Sequence, residues 1–486
     1  MSKILKDTFS SIFKIGSYFA KKKLLSRESG ARLANNKELS SIFSRSNKGL
    51  LINGNDQRIS LTDSYEHLAV IAKPGSGKTT AFIVPNVLEL GSKDCSMIIN
   101  DPSGEIFQLT SGYLEKQGYR VQILNPESLE QSARFNPFAG LTAQDTMEIE
   151  QICTSIIMTK YGADKEPIWN EGAISILEVL AKCLSYSQTQ ELNLVELNSL
   201  ITLFGSDGRA IEDWVAENSI NPQDYNDRTL WQSWLGIISS NEKMLSSYVT
   251  ICKTALKQLS NPNIQKLLCS DTLNLQEIRK QKTVIYLNFS EAKQGYYQFI
   301  IDLFYIRLIS TLMQKKPTAN ELDIFGLLDE FGNSYIHEFN ISINNLRKYR
   351  VSLSLIFQGI SQLSQKYGEQ TAKAIKSGIG SYLIYRGGDL DTNSEFSQIL
   401  GNKFIHQKES FGNIVESRQE QQLLAPDQIR MLQDNEAIYI SKNYPAAILN
   451  CTKYFEHGRY RRLTKNKPAC STTNKFTLNF DSKLRI

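Results

Sequence analysis

The sequence predicts an α/β fold interrupted by an all-α domain. Three observations predict it. Residues 68–73, LAVIAK, read as a buried strand that runs through a glycine loop into a helix. Strand and helix patterns alternate from about Leu68 to Pro137 and resume at Thr283. Between about Thr146 and Leu273 the strand signal largely vanishes and helix follows helix.

The strand at 68–73 leads into PGSGKTT and then AFIVPNVLEL. Strand, glycine loop and helix in this order make a phosphate-binding loop. Gly75 and Gly77 let the backbone from Pro74 and Ser76 through Thr80 curl so that the N–H groups of residues 75–80 surround phosphate oxygens. Lys78 reaches the β- and γ-phosphates of ATP as a point charge. Thr79 offers a hydroxyl to Mg²⁺. The first position of the pattern is Ala72 rather than glycine. CSMIIN, 95–100, is the second strand, and Asp101 ends it.

Residues 146–273 include SILEVLAKCL and MLSSYVTICKTALKQL and hold all four tryptophans, Trp169, Trp214, Trp231 and Trp234. These are either packed core or exposed partner anchors. The strand TVIYLN, 283–288, restarts the alternation. The apolar run DIFGLL, 323–328, ends in Asp329 and Glu330. Asp329 is placed to bind Mg²⁺ and Glu330 to polarise the attacking water as general base. VSLSLIF, 351–357, ends in Gln358, which suits a γ-phosphate sensor or a water-orienting group on the same sheet edge. Lys78 and Asp329 stand about 250 residues apart, more than a minimal nucleotide core needs, so an insertion is expected. The layout is that of a RecA-like P-loop NTPase. Expected boundaries are an amphipathic basic segment at 1–28, the first motor part at 29–140, the all-α insertion at 141–281, the second motor part at 282–450 and a basic tail at 451–486.

The chain has 486 residues, 41% hydrophobic and 22% charged, which excludes global disorder and predicts two or three folding units. A formal net charge of +5 permits contact with nucleic acid without marking a dedicated binder. The 7 cysteines and 4 histidines are scattered, with no CxxC and no zinc spacing, which fits reduced thiols in a cytoplasmic protein. The longest apolar run, Tyr296 to Met313, contains Asp302 and Arg307 and reads as a core helix rather than a membrane span. No signal peptide is evident. Leu5, Phe9, Ile12, Gly16 and Phe19 form one face of an N-terminal helix, with Lys21, Lys22 and Lys23 behind it. Residues 1–24 therefore suit an anionic membrane surface, a partner, or packing on their own domain. Arg459, Arg461, Arg462, Lys465 and Lys467 suit a solvated tail or a DNA or lipid contact.

From about Gly30 to Asn443 the chain resembles the TraG/TraD-type coupling proteins of conjugation and type IV secretion systems. GARLANNKEL (30–39), KGLLING (48–54), HLAVIAKPGSGKTT, INDPSGEIFQLTSGYLEKQGYRVQILNP (99–126), ARFNPF (133–138) and the IWNEGA segment follow in family order. So do LLDEFGN, RKYRVSLSLIFQGISQLSQKYG (347–368), DLDTNSEFSQILG (389–401) and LLAPDQIRML (423–432). The resemblance implies a homo-hexameric ATPase at the cytoplasmic face of the inner membrane. It implies delivery of a relaxase–DNA complex or an effector protein to a secretion channel. It also implies an arginine supplied in trans, matched by Arg347 and second by Arg350. Two departures stand out: Ser103 replaces the family's usual Lys, and no transmembrane helix is detected. Two other readings stay open, an ATP-gated recruitment receptor with little pumping activity and an FtsK/HerA-type translocase.

Overall fold

A strand of four wholly apolar residues has no face for water, so both of its sides must be covered. LAVI forms β1 (Leu68–Ile71), and all four residues are buried. The computed structural model describes residues 30–162, 167–407 and 417–469. The segment 1–28 and the chain beyond residue 469 lie outside them.

The remaining strands are β2 (Cys95–Asn100), β3 (Arg120–Leu124), β4 (Thr283–Leu287), β5 (Asp323–Leu328), β6 (Val351–Phe357), β7 (Ser381–Tyr385), β8 (Asn402–Gln407), β9 (Ser417–Gln422), β10 (Glu436–Ser441) and β11 (Tyr444–Asn450). Nine build one sheet in the order β11-β10-β7-β1-β6-β5-β2-β4-β3, and β8 and β9 pair separately. The seven strands from β7 to β3 run parallel. β10 and β11 close one edge antiparallel. Parallel strands must return by crossovers, which puts helices on both faces.

One face carries the helical turns from Lys78 to Leu90, with Phe82, Val84 and Leu88 buried beside Val70, Met97 and Ile356. The other face is covered by the helix Gln294–Met313, joined to the all-α region in a single apolar cluster. That region lies between β3 and β4 and has, among the described residues, seven α-helices, from Thr146–Tyr161 to Pro262–Leu268. It shares its core with the sheet: Ile152, Ile156, Leu177 and Trp234 belong to the same cluster as Phe304 and Ile98. Trp234 is fully buried, and Trp169, Trp214 and Trp231 are partly buried against that cluster, so the tryptophans are packed core rather than exposed anchors.

Among the described residues no helix is long and apolar enough to cross a membrane. In Gln294–Met313 the two interior charges are spent inside the protein. Asp302 accepts from Gln298 at 2.6 Å and from the Tyr335 N–H at 3.1 Å. Arg307 donates to the Ala139 carbonyl at 2.9 Å. Burial lifts the Asp302 carboxyl to about 7.

Residues 451–469 depart from the expected tail. They cross back over the helix that follows β1 and include a short helix, Gly458–Leu463. Glu89 lies buried between Arg58 and Arg459 and pairs with both, at 2.6 Å for Arg459. Basic residues there are partly a structural clamp, and their composition alone did not distinguish clamp from tail.

Candidate nucleotide site

The carboxyl ends of parallel strands gather at one sheet edge, and loops there can aim side chains at a common point. β1 enters that edge between β6 and β7. The loop after it turns through Gly75 and Gly77, with φ of +77° and +95°, values that suit residues lacking Cβ. A Cβ built on Gly75 would meet nothing within 4 Å, so open space lies over the loop. Pro74 and Gly75 are exposed, while Ser76 is buried and its hydroxyl has no protein partner. Residues 78–83 wind as a π-helix, a geometry frequent at functional sites. Thr80 turns its hydroxyl onto the Gly77 carbonyl at 3.1 Å, and Thr79 stands one residue earlier on the same turn, half-buried.

β5 lies one strand beyond β6 and brings the two acids to the loop. Lys78 Nζ is 2.6 Å from Asp329 Oδ1 and 2.5 Å from Glu330 Oε1. Both acids are buried. Burial opposes the charge on Lys78, but Asp329 and Glu330 outweigh it and hold the ammonium above its ordinary value. Burial pushes the Asp329 carboxyl up against the pull of Lys78. Glu330 sits at φ +54°, a left-handed conformation unusual for a side chain of its kind. From β6, Gln358 donates to Glu330 Oε2 at 2.9 Å. Its own N–H is taken by Gln362 Oε1 at 2.9 Å.

The cluster holds one ammonium and two carboxylates, so it has an excess negative charge. A hydroxyl at Thr79 and a carboxylate at Asp329 are oxygen ligands of the kind Mg²⁺ prefers. The unpartnered Ser76 hydroxyl and the open space at Gly75 leave donors and room for phosphate. The residues present therefore fit Mg²⁺ with a nucleoside triphosphate.

One other strand end, Asp101, was expected on this rim. Asp101 is present but spent: it accepts from the N–H groups of Ile106 at 3.2 Å and Phe107 at 2.7 Å, capping the helix Glu105–Lys116. Burial lifts its carboxyl to about 6. Asn100, which the sequence reading passed over, donates its side-chain amide to the Asp329 carbonyl and braces the acidic turn. An amide ending an otherwise apolar strand was the available signal.

Arg347 lies away from this rim, in the turn before β6 begins, at the sheet's other edge. It pairs with Glu66 at 2.7 Å and is half exposed. Arg350 is a different kind of residue. Its guanidinium binds Asp323 at 2.7 Å, the Thr318 carbonyl at 2.8 Å and the Glu321 carbonyl. With every nitrogen engaged in its own chain, Arg350 staples the sheet edge and is unsuited to serve a neighbour.

Residues 19–479 match the family model for the type IV secretory system conjugative DNA transfer proteins. Among curated relatives, the VirD4 protein of Agrobacterium fabrum is 23% identical over 415 residues, covering 82% of this chain and 60% of VirD4. The conjugal transfer protein TraG of Rhizobium radiobacter is 22% identical over 403 residues, covering 78% and 60%. The chain thus spans about 60% of the length of these relatives. Among solved structures, the bacterial conjugative coupling protein TrwB lacking its first 70 residues superposes with a TM-score of 0.71 at 16% identity, covering 87% of this chain and 92% of that one. TrwB in complex with ADP and Mg²⁺ gives 0.68 at 16% identity, covering 87% and 94%. That similarity shows the fold, a RecA-like P-loop NTPase domain with an all-α domain inserted. With nearly its whole length matched, the chain belongs to the type IV secretory system conjugative DNA transfer family.

Proposed function

We propose that this protein is an ATP-hydrolysing coupling protein that recruits DNA, as a relaxase–DNA complex, or an effector protein and helps move it to a type IV secretion channel. The observation that carries the reading is the bridge from Lys78 to Asp329 and Glu330, which joins the phosphate loop to a buried acid pair. Relatives named for conjugal transfer support the cargo class, and a TrwB structure with ADP and Mg²⁺ supports the ligand.

In this reading Lys78 leaves its two carboxylates for the β- and γ-phosphates when ATP enters. Asp329, freed of Lys78, and Thr79 would hold Mg²⁺, which would supply charge neutralisation at the phosphates. Glu330 accepts a proton from the attacking water. Gln358 holds the other Glu330 oxygen, so it fixes the direction from which that proton is taken. Backbone N–H groups of residues 75–80 cradle the phosphates, with Pro74 leading the chain into the loop. Arg347 reaches the site of a neighbouring copy in a homo-hexamer, where its charge stabilises the departing phosphoryl group. The assembly works at the cytoplasmic face of the inner membrane, and residues 1–24 contact the membrane surface.

The test is ATPase turnover with and without single- and double-stranded DNA, beside a Lys78→Ala control. Turnover should rise with DNA and the rise should fade with salt, because phosphate contacts release counterions. Turnover indifferent to both forms of DNA would remove the DNA-motor part of the reading.

A further inference from the structure

The chain that follows β11 returns to the phosphate loop, and nothing in the proposed chemistry uses it. Its backbone is fixed there at three points. The Thr452 N–H donates to the Asn53 carbonyl at 2.8 Å, and the Tyr454 N–H donates to the Thr80 carbonyl at 2.8 Å. Gly54 is wedged between them: a Cβ on it would lie 2.2 Å from the Thr452 carbonyl oxygen and 2.5 Å from that of Ala81. Residues 452–454 thus sit on the first turn after the loop, beside the end of the loop that follows Lys78.

The side chains presented there have a specific chemistry. Lys453 Cε lies 4.0 Å from the position a Gly77 Cβ would take, so the ammonium stands beside the loop. Among the described residues Lys453 forms no ion pair, and its Nζ is 6.0 Å from the Phe455 ring centroid. Phe455 is 43% exposed although its neighbour ring, Tyr454, is half-buried and meets it edge-on at 5.4 Å and 80°. An exposed aromatic ring braced by a second ring and fronted by a cation is a platform for a planar, electron-rich group carrying phosphate. In a phosphate loop the β- and γ-phosphates lie toward the Lys78 ammonium, so the nucleoside end projects past Thr79 and Thr80, where this segment lies.

We propose that residues 453–455 form the nucleoside side of the ATP site, with Phe455 stacking on the base and Lys453 neutralising the phosphate nearest the ribose. The inference rests on the nucleotide reading above and extends it to a segment of the chain about 370 residues from the phosphate loop. Stacking carries no hydrogen-bond code, so the platform accepts adenine and guanine alike.

The experiment is equilibrium binding of a fluorescent ATP analogue to the full chain, with unlabelled ATP, GTP and inorganic tripolyphosphate as competitors. Phe455→Ala should weaken ATP and GTP about tenfold and leave tripolyphosphate unchanged, and Phe455→Trp should restore both nucleotides. Lys453→Ala should weaken all three competitors, and Lys453→Arg should restore them. Because Phe455 is largely exposed, its removal leaves the apolar core intact. If Phe455→Ala binds ATP as the parent does while Lys78→Ala does not, the platform is wrong and the nucleotide site stands. If Lys78→Ala binds ATP as tightly as the parent, the nucleotide site itself is wrong and the platform falls with it.

Discussion

Gln358 and Lys78 divide the Glu330 carboxylate between them: the amide donates to Oε2 at 2.9 Å, and the ammonium holds Oε1 at 2.5 Å. Both oxygens are therefore held by donors of the chain itself. Under the proposed function, phosphate would draw Lys78 away from Oε1, which ties the appearance of a free base to the arrival of substrate. Replacing Glu330 by Gln should keep ATP affinity and lower turnover at least a hundredfold, the usual contribution of a positioned base. Transfer of cargo in cells should stop while cargo binding persists. Continued transfer by Glu330→Gln would favour a recruitment receptor over a motor.

The two arginines before β6 should separate cleanly. Arg350→Ala leaves the Asp323 carboxylate and two carbonyls without a donor and should cost about 2–4 kcal/mol of stability. Arg347→Ala removes one exposed ion pair and should change stability by less than about 1 kcal/mol. In a mixed assembly, Arg347→Ala should nonetheless lower ATP turnover, and equal turnover would remove it from the neighbour's site. Thermal melts and ATPase rates on the same preparations check both.

His67 predicts an acid limit. Its ring is buried, accepts the Leu353 N–H on Nδ1 at 3.2 Å and stands 2.9 Å from the Ile343 carbonyl on Nε2. Nδ1 as acceptor fixes the neutral tautomer, with Nε2 donating. Burial lowers its folded value from 6.5 to about 4. A depressed value gives stability that is full above 6.5 and lost as pH falls towards 4, on the order of 3 kcal/mol. The raised Asp302 and Asp101 groups act in the opposite sense, gaining stability as pH falls, so the wild-type profile is a sum. The difference in melting temperature between the parent and His67→Asn should shrink as pH falls from 6.5 to 4, because only the parent loses the histidine contribution there. A difference independent of pH there would show that the imidazole does not titrate as described.

Glu89 supplies a fourth test. Glu89→Ala strands the buried Arg58 and frees Arg459, and should cost about 3–5 kcal/mol. It should also loosen residues 452–463 from the helix after β1, seen as faster amide exchange there than in the parent. Unchanged exchange would mean that the backbone bonds at Asn53 and Thr80 hold the segment alone.

Much of the site was legible because its chemistry is local. A glycine loop between a strand and a helix, or two acids at the end of DIFGLL, needs only neighbours in sequence to be recognised. Gln358 was legible because parallel strands align their ends. What sequence hid was whether a polar residue is free or already engaged. Asp101 reads as rim chemistry until the Ile106 and Phe107 N–H groups claim it. Arg350 reads as a trans donor until Asp323, Thr318 and Glu321 consume it. The last described segment was hidden for the same reason, since the partner of Arg459 lies 370 residues away. The all-α region expected at 141–281 shares one apolar cluster with the sheet, and those long-range contacts are invisible in its local pattern.

β1 lies between β6 and β7, yet it is made long before either. During synthesis its four apolar residues have neither neighbouring strand to pair with until Phe357, the end of β6, has left the ribosome. At about 5–20 residues per second that interval is roughly 15–60 s. The phosphate loop is thus translated early and assembled late. The nascent chain carries an unpaired, aggregation-prone strand through most of its synthesis, and its yield in cells should depend on chaperones more than its folded stability suggests.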